Sequence, residues 1–226
     1  MRIGEIVETT STGFVAESLK LNRPPPLGSV VTVHVPAESA GKPTEAAIYA
    51  VVTYGQTAGL DPSRRAIRRS TEAVFDEAVY RDNPELGHVL RTEFGAALVG
   101  FLADGYVRQH LPSQPPPLHF SVQSVSQEDL RRFTDSFDYL RLLLTVAGPV
   151  LPAQVLAANV REVYRQRGQD RMWLDAAARQ VATLLKDDPQ ALLTVLYAID
   201  PGSAPLPAAS GVRPASTGSG GREVQR

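Results

Sequence analysis

Arg23-Pro24-Pro25-Pro26-Leu27-Gly28-Ser29-Val30-Val31-Thr32-Val33-His34-Val35 decides the fold. Three consecutive prolines have no N–H to give to a ladder, so the segment is a connection or a sheet edge. The residues after the prolines alternate, with Val31, Val33 and Val35 on one side, the period-two pattern of a strand. The same opening recurs at Pro115-Pro116-Pro117-Leu118, and it too leads into a strand-like run, Leu118 to Val125. The two runs read as equivalent stiff corners rather than as a repeat. Proline-rich ligands for aromatic grooves use the same residues, but a corner between strands suits the strand-like run after each of them.

Outward from the first corner, the texture stays that of a sheet. Ile3 to Thr9 reads as a first strand, and Thr12-Gly13 turns it into Phe14 to Leu19. There Phe14, Ala16 and Ser18 share one face, and Val15, Glu17 and Leu19 the other. Ser29 to Val35 is a third strand, Pro36 to Thr44 a polar loop, Ala46 to Tyr54 a fourth strand and Gly55 to Pro62 a loop. The pattern loosens from Arg64 to Leu90, with a short helix around Glu72 to Tyr80. Phe94 to Leu102 resumes as a strand, Asp104-Gly105 is a hairpin turn, and Tyr106 to Leu111 returns.

After Ser126 the period changes. Ser126-Gln127-Glu128-Asp129 is a capping box with Asp129 in the place of the usual Glu or Gln. Leu130, Phe133, Phe137, Leu140 and Leu144 then form one apolar stripe at spacings of three and four, a helix stopped by Gly148-Pro149. Ala153 to Arg167 is a second helix, Asp170 to Lys186 a third, and Asp188-Pro189 opens a fourth that runs to about Ile199. From Pro201 to Arg226 the chain is rich in Pro, Ala, Ser and Gly and has no periodicity, so a disordered tail is expected. The fold class is therefore α+β in two domains: a small β-barrel over residues 1–125 and an α-helical bundle over 126–200.

Composition narrows the chemistry. The chain has 226 residues, 43% hydrophobic and 21% charged, with net charge −1 and no cysteine. That suffices for a core, supplies no global field toward nucleic acid, and excludes disulfides, thiolate catalysis and cysteine-bound zinc. No run approaches the roughly 18 apolar residues of a membrane span. The reading is a cytoplasmic protein with no membrane contact.

The order of segments in the first half resembles the HAS barrel, the β-barrel shared by HerA-type DNA-translocating ATPases and rotary ATP synthases. The residues that carry it are Ile3-Gly4-Glu5-Ile6-Val7, Phe14-Val15-Ala16, Pro25-Pro26-Leu27-Gly28-Ser29-Val30-Val31 and Ile48-Tyr49-Ala50-Val51-Val52, followed by Asp61-Pro62-Ser63-Arg64-Arg65. Arg91-Thr92-Glu93-Phe94 and Pro115-Pro116-Pro117-Leu118-His119 look like the bacterial stand-alone branch, which has a helical domain after the barrel and no ATPase. The resemblance implies a barrel that holds neighbours together, or docks a HerA-type ATPase or a NurA-type nuclease in DNA processing. The motor itself is missing: the nearest sequence to a phosphate loop, Pro36 to Pro43 with Gly41-Lys42, has proline in place of the first glycine and of the final hydroxyl residue.

No residue set reads as catalytic. His34, His88, His110 and His119 lack ligand spacing, and there is no G-x-S-x-G elbow. Neither a metal nor a cofactor is expected. The one local charge concentration is Arg64, Arg65, Arg68 and Arg69. Arginine forks match phosphates and acidic partner surfaces, while a plain solvated loop would pair them with Glu72, Asp76 and Glu77. The expected function is a non-catalytic scaffold or adaptor that assembles with itself or with a partner protein. The alternative is a nucleic-acid-binding module using the Arg64 to Arg69 loop.

Overall fold

Strand pairing closes the first half of the chain on itself. The structure is a computed structural model and describes residues 1–39, 42–61 and 65–200. In chain order the strands are β1 (Arg2–Thr9), β2 (Gly13–Ser18), β3 (Val30–Ser39), β4 (Lys42–Gly59), β5 (Leu90–Ala103), β6 (Tyr106–Arg108) and β7 (Ser121–Ser124). The sheet runs β2-β1-β7-β3-β4-β5, all antiparallel, and β2 also pairs with β5, which shuts a six-stranded barrel. β6 is a short flap on β5. Alternate residues fill the interior: Ile6, Phe14, Ala16, Val31, Val33, Ile48, Ala50, Val52, Phe94, Ala96, Leu98 and Val122. Closure leaves the six strands few free edges.

The barrel is built twice from one pattern. Its first half is β1, β2, a proline corner and β3; its second is β4, β5, a proline corner and β7. The registers coincide. Ile6 pairs with Ala16 as Val52 pairs with Ala96, and in both hairpins the next pair skips one residue, giving Glu8 with Val15 and Tyr54 with Gly95. Val31 faces Ala50 as Val122 faces Gly4. The two seams between halves map onto themselves: Phe14 with Ala96 mirrors Ala16 with Phe94, and Val31 with Ser124 flanks the same centre as Val33 with Val122.

The corners obey the same rule, which corrects the expectation that they are not a repeat. Pro26 O accepts from Ser29 N at 3.1 Å, and Pro117 O from Phe120 N at 3.4 Å. The third residue of each turn is left-handed, Gly28 at φ 81° and His119 at φ 64°. Gly28 N donates to Val52 O at 2.8 Å and Ser29 O accepts from Val52 N at 3.0 Å; His119 N donates to Ile6 O at 2.9 Å and Phe120 O accepts from Ile6 N at 3.0 Å. A left-handed third residue is the demand of a type II turn, met by glycine at no steric cost.

Two expected loops are strand. β3 and β4 pair through ten residues, from Val30 with Val51 to Ser39 with Lys42, where a polar loop over 36–44 was expected. Residues 35–39 and 42–46 pair only with each other among the described residues, so they form a two-stranded ribbon, and a ribbon's open edges tolerate proline. At the other end β4 runs on to Gly59, opposite Leu90. In both cases backbone hydrogen bonds extend the strand where apolar alternation stops. The strands read at Tyr106 to Leu111 and Leu118 to Val125 are shorter, Tyr106–Arg108 and Ser121–Ser124.

The helices are α1 (Glu77–Asp82) and α2 (Leu86–Val89), then α3 (Gln127–Thr134), α4 (Leu140–Leu143), α5 (Pro152–Gln166), α6 (Arg171–Leu184) and α7 (Pro189–Ile199). Ser126, Asp170 and Asp188 cap α3, α6 and α7 by accepting from Asp129 N, Trp173 N and Ala191 N. The single helix expected from Ser126 to Gly148 is broken after Thr134. Side chains from elsewhere claim its last carbonyls: Trp173 Nε1 donates to Thr134 O at 2.7 Å, Gln109 Nε2 to Phe133 O at 2.6 Å and Arg167 Nη1 to Arg131 O at 3.1 Å.

These helices share a core with the outer side of the barrel. Val30 of β3, Ala47, Tyr49 and Val51 of β4 and Val99 of β5 pack with Leu130, Phe133, Tyr139, Leu156 and Val160. Tyr49 stacks on Phe133, centroids 4.4 Å apart. A buried polar clasp adds direction: Tyr139 OH donates to Asn159 Oδ1 at 3.1 Å, and Asn159 Nδ2 to Gly28 O at 2.8 Å. The fold is thus α+β around a closed barrel. The expected disordered tail, 201–226, lies outside the described residues.

Candidate functional site

The two halves of the barrel differ most in how their first hairpin is closed. In the first half Thr9 and Phe14 are joined by Thr10 to Gly13, a turn held by Thr10 N donating to Gly13 O at 2.8 Å. In the second, β4 and β5 are joined by residues 60–89. Among the described residues, none of the barrel's strands comes from that segment.

Its internal packing is thin. Leu60 N donates to Val89 O at 3.0 Å, which prolongs the ladder by one step. Thr71 then folds a turn, its Oγ1 accepting from Val74 N at 3.0 Å. Asp76, at φ 52°, leads into α1, which buries no residue, and α2 buries only Leu86. The helix expected around Glu72 to Tyr80 therefore lies later, over Glu77–Asp82, because Thr71 and Asp76 hold the preceding stretch in turns.

Large apolar side chains remain in water: Ile67 is 72% exposed, Phe75 58%, Leu60 51%, Val89 47% and Tyr80 41%. Such residues scattered singly mean little, but a contiguous group marks an interaction surface. Leu60, Ile67, Val79, Tyr80, Leu86 and Val89 line one hollow of about 950 Å³, and Arg65, Arg68 and Arg69 lie on its wall. Of the four arginines singled out in the sequence, these three come together there; Arg64 lies outside the described residues.

The pairing expected of a solvated loop is not what is seen. Arg69 Nη1 approaches Glu85 Oε1 at 3.7 Å, with both side chains partly exposed. Among the described residues no ion pair joins Arg65 or Arg68 to Glu72, Asp76 or Glu77. The apolar members of the hollow were missed in the sequence because they follow neither a helical nor a strand period. The signal that finds them is the broken repeat, an insertion that the other half lacks.

The other chemistry weighed in the sequence is dispersed. His119 Nδ1 lies 2.9 Å from Glu5 Oε1, where it ties the second corner to β1. His110 Nδ1 lies 3.0 Å from Leu111 O, with its ring edge-on to Phe101. Among the described residues no three His, Asp or Glu side chains converge, and no helix is long and apolar enough to cross a membrane. The stretch that resembled a phosphate loop lies in the β3–β4 ribbon, with Ala40 and Gly41 outside the described residues.

No protein-family model matches the chain, and no curated protein matches it.

Proposed function

We propose that this chain is a non-catalytic adaptor of the stand-alone HAS-barrel type, in which the β4–β5 insertion docks a protein partner. One observation carries the reading: an insertion outside the barrel's strands gathers exposed Leu60, Ile67, Tyr80 and Val89 around a hollow walled by three arginines. Arginine beside aromatic and aliphatic side chains is the composition of interface centres, where arginine stem and fork both contribute. Surfaces that exist only to close a fold bury their apolar residues instead.

The partner class follows from the resemblance: a HerA-type ATPase or a NurA-type nuclease in DNA processing, in the cytoplasm. The helices after the barrel, read as a bundle over 126–200, supply a second contact surface, through which the adaptor assembles with itself. The insertion also sets Tyr80 beside its arginines in that hollow and leaves Phe75 exposed, which favours single-stranded nucleic acid as the second reading, since exposed aromatics stack on bases and arginines meet phosphates.

The test uses the full chain and its Ile67→Asp, Tyr80→Asp double variant, each titrated against a purified HerA-type ATPase, a NurA-type nuclease and a fluorescent single-stranded oligonucleotide. The adaptor reading expects binding to one of the proteins, lost in the variant. Oligonucleotide binding that steepens at low salt and disappears in Arg65→Glu, Arg68→Glu selects the second reading.

A further inference from the structure

A second hollow, on the far side of the first proline corner, carries charge that the fold does not require. It measures about 360 Å³ and lies between the start of β1, the end of β2, the corner and α5. Small-molecule pockets start at roughly this size, about 300 Å³. Its floor is apolar and stiff: Ile3, Leu19, Pro24 to Pro26 and Val30 line it. Consecutive prolines cannot relax much, so the hollow is preformed, and a preformed site loses less ordering entropy on binding.

Four cations border this floor, Arg2, Lys20, Arg23 and Arg165. Arg165 is already engaged, donating through Nε and Nη2 to the Glu162 carboxylate at 3.0 and 2.6 Å. That pairing, with Gln166 Nε2 donating to Glu162 at 2.7 Å, neutralises the one acid that lines the hollow. Among the described residues the side chains of Arg2, Lys20 and Arg23 have neither an ion pair nor a hydrogen-bond partner. Three unmatched cations therefore face one small, apolar-floored hollow. In the second half of the barrel the residue ahead of the prolines is Gln114, where the first half has Arg23. The charge is a property of one half and not of the corner.

We infer that this hollow is a binding site for a phosphate monoester with a flat apolar or aromatic body. The body covers Ile3 and the proline floor, and the dianionic phosphate bridges Arg2, Lys20 and Arg23. A phosphate monoester is chosen over a carboxylate because two negative charges and three terminal oxygens match three separate donors. A neutral apolar body would leave the three exposed cations in water without a counter-charge, so they would add nothing to its binding.

The test is calorimetric titration of the full chain with AMP, phenyl phosphate, adenosine and inorganic phosphate. Binding of AMP or phenyl phosphate, with adenosine silent and inorganic phosphate weaker, is the expected pattern. Arg23→Gln is expected to weaken binding about tenfold, the loss of one charge-assisted hydrogen bond, and Arg2→Gln with Arg23→Gln to abolish it. Both positions are exposed, so the melting temperature of the variants serves as the folding control. Failure of both phosphates to bind overturns the assignment. So does equal binding of adenosine, or binding that survives Arg2→Gln with Arg23→Gln and is lost in Arg65→Gln with Arg68→Gln.

Discussion

One half of the barrel closes its first hairpin with a four-residue turn, and the other with a thirty-residue segment whose described residues bury little beyond Leu86. The ladders on either side are the same down to a shared bulge. What the difference teaches is a division of labour. The central interior positions match because both halves fill one cylinder, Phe14 with Phe94, Ala16 with Ala96 and Val31 with Val122, while outward positions depart with what covers them. Glu5 and Glu17 stand where the second half has Val51 and Ala97. The first pair meets solvent, while the second is buried on the side that the helices cover.

The strongest challenge to this equivalence is to empty the barrel from each half in turn. Phe14 and Phe94 occupy matching registers and are both buried in its interior. Phe14→Ala and Phe94→Ala are each expected to cost about 4 kcal/mol of unfolding free energy, the usual loss for a fully buried phenylalanine. Urea unfolding measures both. A difference of more than about 2 kcal/mol, outside the usual spread at one chemistry, breaks the twofold reading.

The corners sharpen the comparison because they share a turn and differ in what lies against it. A Cβ on Gly28 would meet Ala158 C and Asn159 N at 2.3 Å, both of them backbone of α5. Gly28→Ala is expected to cost about 3 kcal/mol, from left-handed strain and overpacking together. His119 already holds the matching φ with a side chain, and it gains a 2.9 Å contact to Glu5. His119→Gly removes strain and contact at once, so its unfolding free energy is expected to change by no more than about 1 kcal/mol. Equal effects at the two corners would mean that α5 does not press on the first.

These particulars also show what could be read without a structure. The second and third strands, the capping residues Ser126, Asp170 and Asp188 and the closing three helices follow from local periodicity and caps, which are short-range rules. The repeat was hidden because, apart from the two Pro-Pro-Pro-Leu corners, the agreement is confined to a few inward positions such as Phe14 with Phe94 and Ala16 with Ala96. The outward ones diverge with what covers them. The ribbon beyond Pro36 and the strand ends near Gly59 were hidden for another reason, since backbone pairing needs no apolar pattern. Of the candidate site, the arginines were legible as a charge cluster. The apolar hollow beside them was not, because an irregular segment has no period to read.

The helix-covered side holds two buried tyrosines, Tyr49 and Tyr139, whereas β1 and β2 contain none. Burial pushes the Tyr49 phenol up to about 12 and raises that of Tyr139 as well, from an ordinary value of 10.0. Above pH 10 the unfolded chain releases protons that the folded chain keeps, so alkali favours unfolding. The contribution is complete below pH 10 and declines as the pH climbs toward 12, by about 1 kcal/mol per unit for one such group. Tyr49→Phe is expected to flatten that decline, followed as melting temperature between pH 9 and pH 12. An unchanged slope would place the phenol in water.

The smallest expected effect on stability is the most informative about function. Replacing residues 60–89 with Thr-Ser-Thr-Gly, the closing turn of the first half, makes the hairpins alike. Little buried surface is lost, essentially Leu86. Shortening a loop returns several tenths of a kcal/mol of closure entropy for each halving of its length. The two terms oppose, and the unfolding free energy is expected to stay within about 1 kcal/mol of the parent. Partner binding should vanish. If the shortened barrel instead melts far below the parent, the segment is part of the closure machinery, and its exposed apolar residues are incidental to folding rather than kept for a partner. If it folds unchanged and still binds, the docking face lies elsewhere, and the helices on β3, β4 and β5 become the place to look.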